Sequence, residues 1–243
     1  MLDISLDLYV RATALLLMAF VIAIATLHAR LAGFTTGRLL RAISVLAIYL
    51  SLWYALAVGL AEAKIFSRPT NLQNPPIILL FLFGGPLGLI ALARFTNAGQ
   101  ALFAIADQRY LIGLHATRVL GWVFLMVWLA DQLPWQFAIP AGIGDILAGL
   151  FAFGAVLAIN RGDENASAKV MRANIIGIAD FALAVGMAII TSEGIPQLLA
   201  FGEANIVNDF PLALFPTFIV PILLAFHAFS LIKLREDRQR NLT

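Results

Sequence analysis

Seven apolar stretches, each long enough to cross a lipid bilayer, constrain this chain more than any other feature of its sequence. A helix needs about 20 apolar residues to cross the hydrocarbon layer. The stretches therefore predict an all-α integral membrane protein, a bundle of seven transmembrane helices. They lie at about 8–29, 39–61, 76–94, 111–130, 136–159, 171–191 and 210–232.

The composition also indicates that lipid is the solvent for much of the surface. Of the 243 residues, 61% are hydrophobic and only 12% are charged, whereas soluble domains carry about 25% charged residues. So few charges leave too little polar surface to keep a globule dissolved. Because the apolar stretches use most of the chain, we expect residues 1–243 to form a single transmembrane domain with the bilayer as its main partner.

The distribution of lysine and arginine predicts the orientation, because cytoplasmic loops carry an excess of both. The second, fourth and sixth loops hold only Lys64 and Arg68 as basic residues. The alternation predicts an N-terminus outside and a C-terminus in the cytoplasm. The other loops and the tail hold Arg30, Arg38, Arg41, Arg94, Arg109, Arg161, Lys169, Arg172, Lys233, Arg235, Arg238 and Arg240.

Two stretches leave the helix count open. Residues 95–110 are half apolar and are interpreted as an interfacial helix or a loop on the cytoplasmic side. Residues 192–209 are interpreted as lying on the outer surface. If either stretch inserted into the membrane, the count would become six or eight.

Proline and glycine interrupt the apolar pattern of the third and seventh helices. Proline removes a backbone donor and kinks a helix, and broken helices line the cavities of some transporters. Proline and glycine are also common in membrane helices in general, and we favour this second interpretation. The hinge candidates are Gly84, Gly85, Pro86, Pro216 and Pro221.

A small set of polar residues lies inside the predicted spans. Ionisable groups there cost about 2.5–3.5 kcal/mol each on insertion scales and are functional candidates for that reason. The set predicts an intramembrane polar centre. Its members are His115, Arg118, Asp145, Asn174, Asp180 and His227.

The two aspartates lie among small residues at helical spacing. Ala148, Gly149 and Ala152 follow Asp145 on its helix, and Gly177 precedes Asp180. Small residues mark the faces where membrane helices approach closely, so both carboxylates are expected to point into the bundle.

Arg118 is predicted to form an ion pair with one of these aspartates. By helix rise, Arg118, Asp180 and His227 each lie about 9–13 Å from the cytoplasmic ends of their helices, at a common depth. A pair of Arg118 with Asp145 or Asp180 would spare a lone buried charge. Whether such a pair is functional or only fixes helix packing stays open at this point.

Several kinds of site are excluded or disfavoured. The chain has no cysteine, which excludes disulfides and cysteine-ligated metals. Its three histidines lie on separate predicted helices, so no metal site is predicted and no cofactor is identified. The seventh helix lacks the mid-membrane lysine of retinal proteins. No glycine-rich phosphate loop and no nucleic-acid footprint is present.

Two blocks of sequence resemble a family of bacterial multi-pass membrane proteins. One runs from His115-Ala-Thr-Arg118 to Pro140-Ala-Gly-Ile-Gly-Asp145, and the other is Asn174-Ile-Ile-Gly177-Ile-Ala-Asp180. The resemblance covers roughly residues 111–190. It implies a multi-pass protein of the bacterial inner membrane and no particular activity.

Three functions remain open. The first is a small transporter or a proton- or ion-coupled carrier built around the Asp/Arg centre. The second is a non-catalytic subunit or scaffold, with partners in a membrane complex or in a homo-oligomer. The third is an enzyme acting on a lipid or isoprenoid, with His227 and the aspartates as acid and base. We rank the first two equally and the enzyme below them.

Overall fold

The computed structural model describes residues 2–240, without the side chains of residues 2–4, 238 and 240. Arg238 and Arg240, which contribute to the predicted orientation, therefore lie outside the described side chains. The helices are α1 (Leu2–Leu31), α2 (Thr36–Glu62), α3 (Ile77–Phe95), α4 (Asn97–Ala104), α5 (Gln108–Gly113), a 3₁₀ helix (Leu114–Trp122), α6 (Val123–Leu129), α7 (Trp135–Arg161), α8 (Ala166–Thr191), a π-helical segment (Phe215–Ile219) and α9 (Val220–Arg240).

Seven helical stretches of the described chain are long and apolar enough to cross a membrane. The fourth of them joins α5, the 3₁₀ helix and α6, and the seventh joins the π-helical segment to α9. The predicted class, an all-α multi-pass membrane protein with seven spans, is confirmed. The predicted orientation of the termini stays a prediction.

Neither of the two uncertain stretches supplies a further span. Residues 95–110 contain α4, whose eight residues extend only about 12 Å. The Oγ1 of Thr96 accepts a hydrogen bond from the backbone N–H of Gly99 and caps this short helix, at 2.9 Å. Residues 192–209 form turns and loops. Within them, the backbone N–H of Ile195 donates to the carbonyl of Thr70, at 2.7 Å.

The chain divides into two compact units. Unit one comprises Met1–Arg68, Pro76–Asp107 and Asn208–Ala225, and unit two comprises Pro69–Pro75, Gln108–Val207 and Phe226–Thr243. The predicted single domain over residues 1–243 stays a prediction.

In unit one, α3 continues through its proline instead of breaking there. Pro86 lies inside the helix, so α3 is continuous, in keeping with the interpretation that proline and glycine are ordinary residues of membrane helices. Gly85 lets the backbone pass close to the seventh span, because a Cβ at Gly85 would lie 2.6 Å from the Cβ of Pro221 and 3.2 Å from the ring of Trp53. The hinge role of these residues stays a prediction. The structure places Gly85 and Pro221 in a tight contact.

The proline of the seventh span leaves a carbonyl that a tryptophan satisfies. Pro221 has no N–H to donate to the carbonyl four residues earlier, which belongs to Thr217. The indole Nε1–H of Trp53 donates to that carbonyl instead, at 2.8 Å. The indole thus satisfies a carbonyl within a membrane-spanning segment, where lipid offers no donor.

In unit two, α7 and α8 pack through small residues. Ala148, Ala152 and Ala155 on α7 and Ala173 on α8 are all buried. On another side of α7, Gly149 admits the 3₁₀ helix, because a Cβ there would lie 2.8 Å from the Cγ1 of Val119. The small residues thus bring α7 close to both neighbours.

The fourth span departs from α-helix over a 3₁₀ segment, which the sequence did not predict. Its 3₁₀ helix is nine residues long, whereas 3₁₀ runs beyond 3–4 residues are uncommon and often mark a hinge or a strained segment. With three residues per turn, positions i and i+3 lie on the same side. His115, Arg118 and Gly121 therefore share one face, and all three are buried.

Candidate functional site

The guanidinium of Arg118 lies at the centre of a charged cluster in unit two. Its Nε–H donates to Oδ1 of Asp145 at 2.7 Å, its Nη2 donates to Oδ2 of Asp180, and its Nη1 donates to the carbonyl of Gly177 at 3.0 Å. The Cζ atom lies 3.6 Å from the ring centroid of Phe181. Every nitrogen of the guanidinium is engaged, as its planar fork allows.

The side chains of the cluster are largely buried. The side chain of Arg118 is 0% exposed, that of Asp180 is 6% exposed and that of Asp145 is 14% exposed. Both carboxylates therefore face the interior of unit two, as the small-residue faces indicated. The sequence left open which aspartate pairs with Arg118, and in the structure both do.

Two glycines make room for the carboxylates. A Cβ at Gly121 would lie 2.5 Å from the Cβ of Asp145, and a Cβ at Gly144 would lie 2.7 Å from the Cγ of Asp180. Distances below 3.0 Å are not found between real Cβ atoms and their neighbours. Glycine at these two positions is thus a steric requirement of the cluster.

The charges of the cluster do not balance. With every group ionised, one guanidinium faces two carboxylates, and the sum is one negative charge in a largely buried site. Oδ1 of Asp180 is buried and has no hydrogen-bond partner among the described residues. Burying uncompensated charge is costly, and one added positive charge, such as a proton on a carboxylate, would bring this sum to zero.

Asn174 fixes the tautomer of His227. The Nδ2 of Asn174 donates to the carbonyl of Val170 at 3.0 Å and to Oγ of Ser230 at 2.8 Å. Because Nδ2 is turned this way, the acceptor Oδ1 faces Nδ1 of His227, at 2.8 Å. The proton of the neutral imidazole is therefore on Nδ1, and Nε2 carries a lone pair.

That lone pair lies beside the charged cluster. A Cβ at Gly177 would lie 2.5 Å from Nε2 of His227 and 2.9 Å from Nη1 of Arg118, so the imidazole and the guanidinium meet over one glycine. Nε2 has no hydrogen-bond partner among the described residues. The arrangement can accept a proton or a hydrogen bond at this atom.

His115 stacks on His227. Their ring centroids are 3.6 Å apart with an angle of 18° between the planes, and each residue is 1% exposed. Neither ring nitrogen of His115 has a partner within the described part of the chain. These two histidines lie far apart in the sequence and on separate helices, yet they are neighbours in the fold.

Sequence reasoning missed three members of this network. Ser230 accepts hydrogen bonds from Asn174 and, at 2.6 Å, from Nε2 of Gln108. Phe181 contacts both Arg118 and His227. Ser230 follows His227 by three residues, a spacing that places both on one helix face, and this was the available signal. The sequence contained no comparable signal for Gln108 or Phe181.

All six predicted residues of the polar centre thus lie together in unit two, whereas the five hinge candidates lie in unit one. Within the described residues, no group of three or more His, Cys, Asp or Glu side chains is placed to hold a metal ion. The structure therefore describes a cluster of hydrogen bonds and ion pairs.

Residues 75–235 match a protein family described as a domain of unknown function, DUF8737. The match includes more than half of the chain. The chain belongs to this family. No curated protein and no solved structure matches the sequence. The DUF8737 region contains every residue of the cluster, and its description gives no activity.

Proposed function

We propose that this protein is a proton-coupled carrier of a small solute, with its proton site at Arg118, Asp145 and Asp180. One observation carries the proposal: a single buried guanidinium is shared by two carboxylates inside the membrane-spanning segments. A cluster with one excess negative charge gains most from binding one proton, and chains of acidic groups and histidine serve as proton relays in pumps and transporters.

Proton binding at Asp180 is the coupling step. Its Oδ1 lacks a partner among the described residues, so a proton there adds no clash with an existing donor. The neutral acid keeps a hydrogen bond to Arg118 but loses most of the ion-pair attraction, whereas the pair with Asp145 remains. The attraction between Asp180 on α8 and Arg118 on the fourth span weakens as a result.

The 3₁₀ helix supplies the element that moves. Its rise is about 2.0 Å per residue against about 1.5 Å in an α-helix, so conversion of the nine residues would shorten the segment by about 4–5 Å. His115 and Arg118 would move along α7 and α8 with it. A carrier needs such an element with two arrangements.

We further propose that the carrier works in the bacterial inner membrane, with its N-terminus outside and its C-terminus in the cytoplasm. The distribution of lysine and arginine over the loops supports this orientation. Association with a second copy or with another membrane protein is compatible with the carrier. A purely scaffolding role is the alternative, and a proton-flux measurement distinguishes it from a carrier.

The test uses proteoliposomes loaded with a pH-sensitive dye and given a proton gradient. Inorganic cations, amino acids, sugars and carboxylic acids are added singly. The wild-type protein should dissipate the proton gradient when solutes of one of these classes are added and not with the others. Asp145→Asn and Asp180→Asn should each abolish this solute-dependent proton flux. Asp163→Asn is the control, because Asp163 pairs with the partly exposed Lys169 and lies outside the cluster.

Two results would contradict the proposal. One is a wild-type protein that moves protons with none of these solutes. The other is a pair of folded asparagine variants that keep the wild-type flux. Either result would leave the cluster as a packing device, as a scaffold requires.

A further inference from the structure

A cavity of about 440 Å³ lies at one end of unit two, between the last turns of α7 and the first turns of α8. It is separate from the charged cluster. It is an open groove, since Leu150 in its lining is 55% exposed. Among its lining residues, we call Leu150, Gly154 and Leu157 on α7 the floor, and Arg161 on α7 and Arg172 on α8 the mouth. An apolar floor that ends at basic side chains has the polarity of a lipid molecule.

The floor follows one face of α7. Leu150, Gly154, Leu157 and Arg161 are separated by four, three and four residues, a spacing that aligns them along the helix. A Cβ at Gly154 would meet nothing within 4 Å, so the glycine leaves an open notch in this face. From Leu150 to Arg161 the face extends about 16 Å, close to half of the ~30 Å hydrocarbon thickness.

The mouth of the cavity carries excess positive charge. Nζ of Lys169 lies 2.7 Å from Oδ2 of Asp163, and these two charges cancel. Arg161 and Arg172 are exposed and make no ion pair with any described side chain. A guanidinium with free N–H donors can bind a phosphate through two parallel hydrogen bonds.

We propose that this cavity binds an anionic phospholipid, with the phosphate between Arg161 and Arg172 and an acyl chain along the notch at Gly154. Basic pockets between transmembrane helices are known to hold lipid head groups. A free phosphate would leave the apolar floor unused. A choline head group would bring a positive charge to the two arginines.

The first test measures lipid binding to the purified protein in detergent by native mass spectrometry, with phosphatidylglycerol and phosphatidylcholine of identical acyl chains. Wild type should prefer phosphatidylglycerol. The double variant Arg161→Ala/Arg172→Ala should bind phosphatidylglycerol roughly thirtyfold more weakly, as expected for two basic groups near a lipid surface, and should lose the preference. Arg38→Ala/Arg41→Ala removes the same charge from α2 and should leave the preference intact.

The second test fills the notch. Gly154→Trp keeps both arginines and should weaken the binding of both lipids. Gly186→Trp is the control and should not, because Gly186 of α8 is equally open but does not line the cavity. Inorganic phosphate should fail to displace phosphatidylglycerol. The proposal is overturned if the arginine variant keeps the preference, if Gly154→Trp binds normally, or if phosphate competes at equal concentration. None of these outcomes depends on transport.

Discussion

Nδ1 of His227 lies 2.8 Å from Oδ1 of Asn174, and Asn174 presents this oxygen because its amide nitrogen is held by two acceptors. The contact joins the seventh and sixth spans at a fully buried position. It decides which nitrogen of the imidazole carries the proton, and so leaves Nε2 facing Arg118 as an acceptor. A helix-packing contact and the chemistry of the site are thus set by the same amide.

Asn174→Ala should lower the free energy of unfolding by about 1–3 kcal/mol, because it leaves the buried imidazole N–H of His227 without its partner. The ¹⁵N spectrum of the histidines should show a protonated Nδ1 on His227 in the wild type and a mixture of tautomers in the variant. Asn160→Ala, at an exposed position of α7, should change neither quantity. A wild-type spectrum with the proton on Nε2 would contradict the assigned hydrogen bond.

Substitutions in the charged cluster should affect the free energy of unfolding and the proton flux differently. Arg118→Ala leaves two buried carboxylates without their cation and should cost about 3–5 kcal/mol of unfolding free energy. The triple variant Arg118→Met/Asp145→Asn/Asp180→Asn carries no charge at this place and should recover most of that stability, since a neutral replacement avoids desolvating ions. Solute-dependent proton flux should be absent from both.

Thermal unfolding in one detergent, followed with proteoliposome flux, provides both measurements. A triple variant as unstable as Arg118→Ala would show that the ion pairs contribute more than their desolvation costs. A triple variant with wild-type flux would remove the cluster from the transport mechanism.

The glycines beneath the carboxylates should tolerate no side chain. Gly144→Ala and Gly121→Ala place a methyl group against Asp180 and Asp145 respectively, and overpacking of this kind costs about 1–3 kcal/mol. Gly59→Ala, where a Cβ meets nothing within 4 Å, should be neutral or stabilising because alanine favours the helix. Equal stability of all three variants in thermal unfolding would argue against the close approach of α7 to its neighbours.

In unit one, Trp53 and Pro221 should be coupled energetically. Trp53→Phe leaves the carbonyl of Thr217 without its donor and should cost about 1–3 kcal/mol. In a Pro221→Ala background the alanine N–H can donate to that carbonyl, so the cost of Trp53→Phe should fall. A double-mutant cycle on thermal unfolding measures this difference. Additive effects would mean that the indole hydrogen bond does not replace the missing helix donor.

Much of the fold could be predicted from the sequence because the hydropathy of a stretch depends only on its consecutive residues. Seven stretches of about 20 apolar residues specify seven spans whatever their arrangement, and the observed helices α1, α2, α3, α7 and α8 agree with the predicted ranges to within a few residues at most ends. The inward direction of Asp145 and Asp180 was also predictable, since glycine and alanine mark the faces where helices approach.

The break in the fourth span was not readable in this way. The 3₁₀ helix contains Gly121 and directly follows Gly113, but isolated glycine is common in membrane helices and does not signal a change from α-helix to 3₁₀ helix. The 3₁₀ geometry places His115, Arg118 and Gly121 on one side, where α7 and α8 hold them. Contacts with α7 and α8 therefore stabilise a conformation that the local sequence does not favour.

The sequence by itself determined that this chain lies in a membrane, how many times it can cross, and which polar residues are too costly to face lipid. Only the tertiary structure decided that one arginine serves two aspartates and that two distant histidines stack. Hydropathy and small-residue spacing are properties of one helix at a time, whereas a shared guanidinium or a stacked pair depends on which helices are neighbours and at what depth they meet.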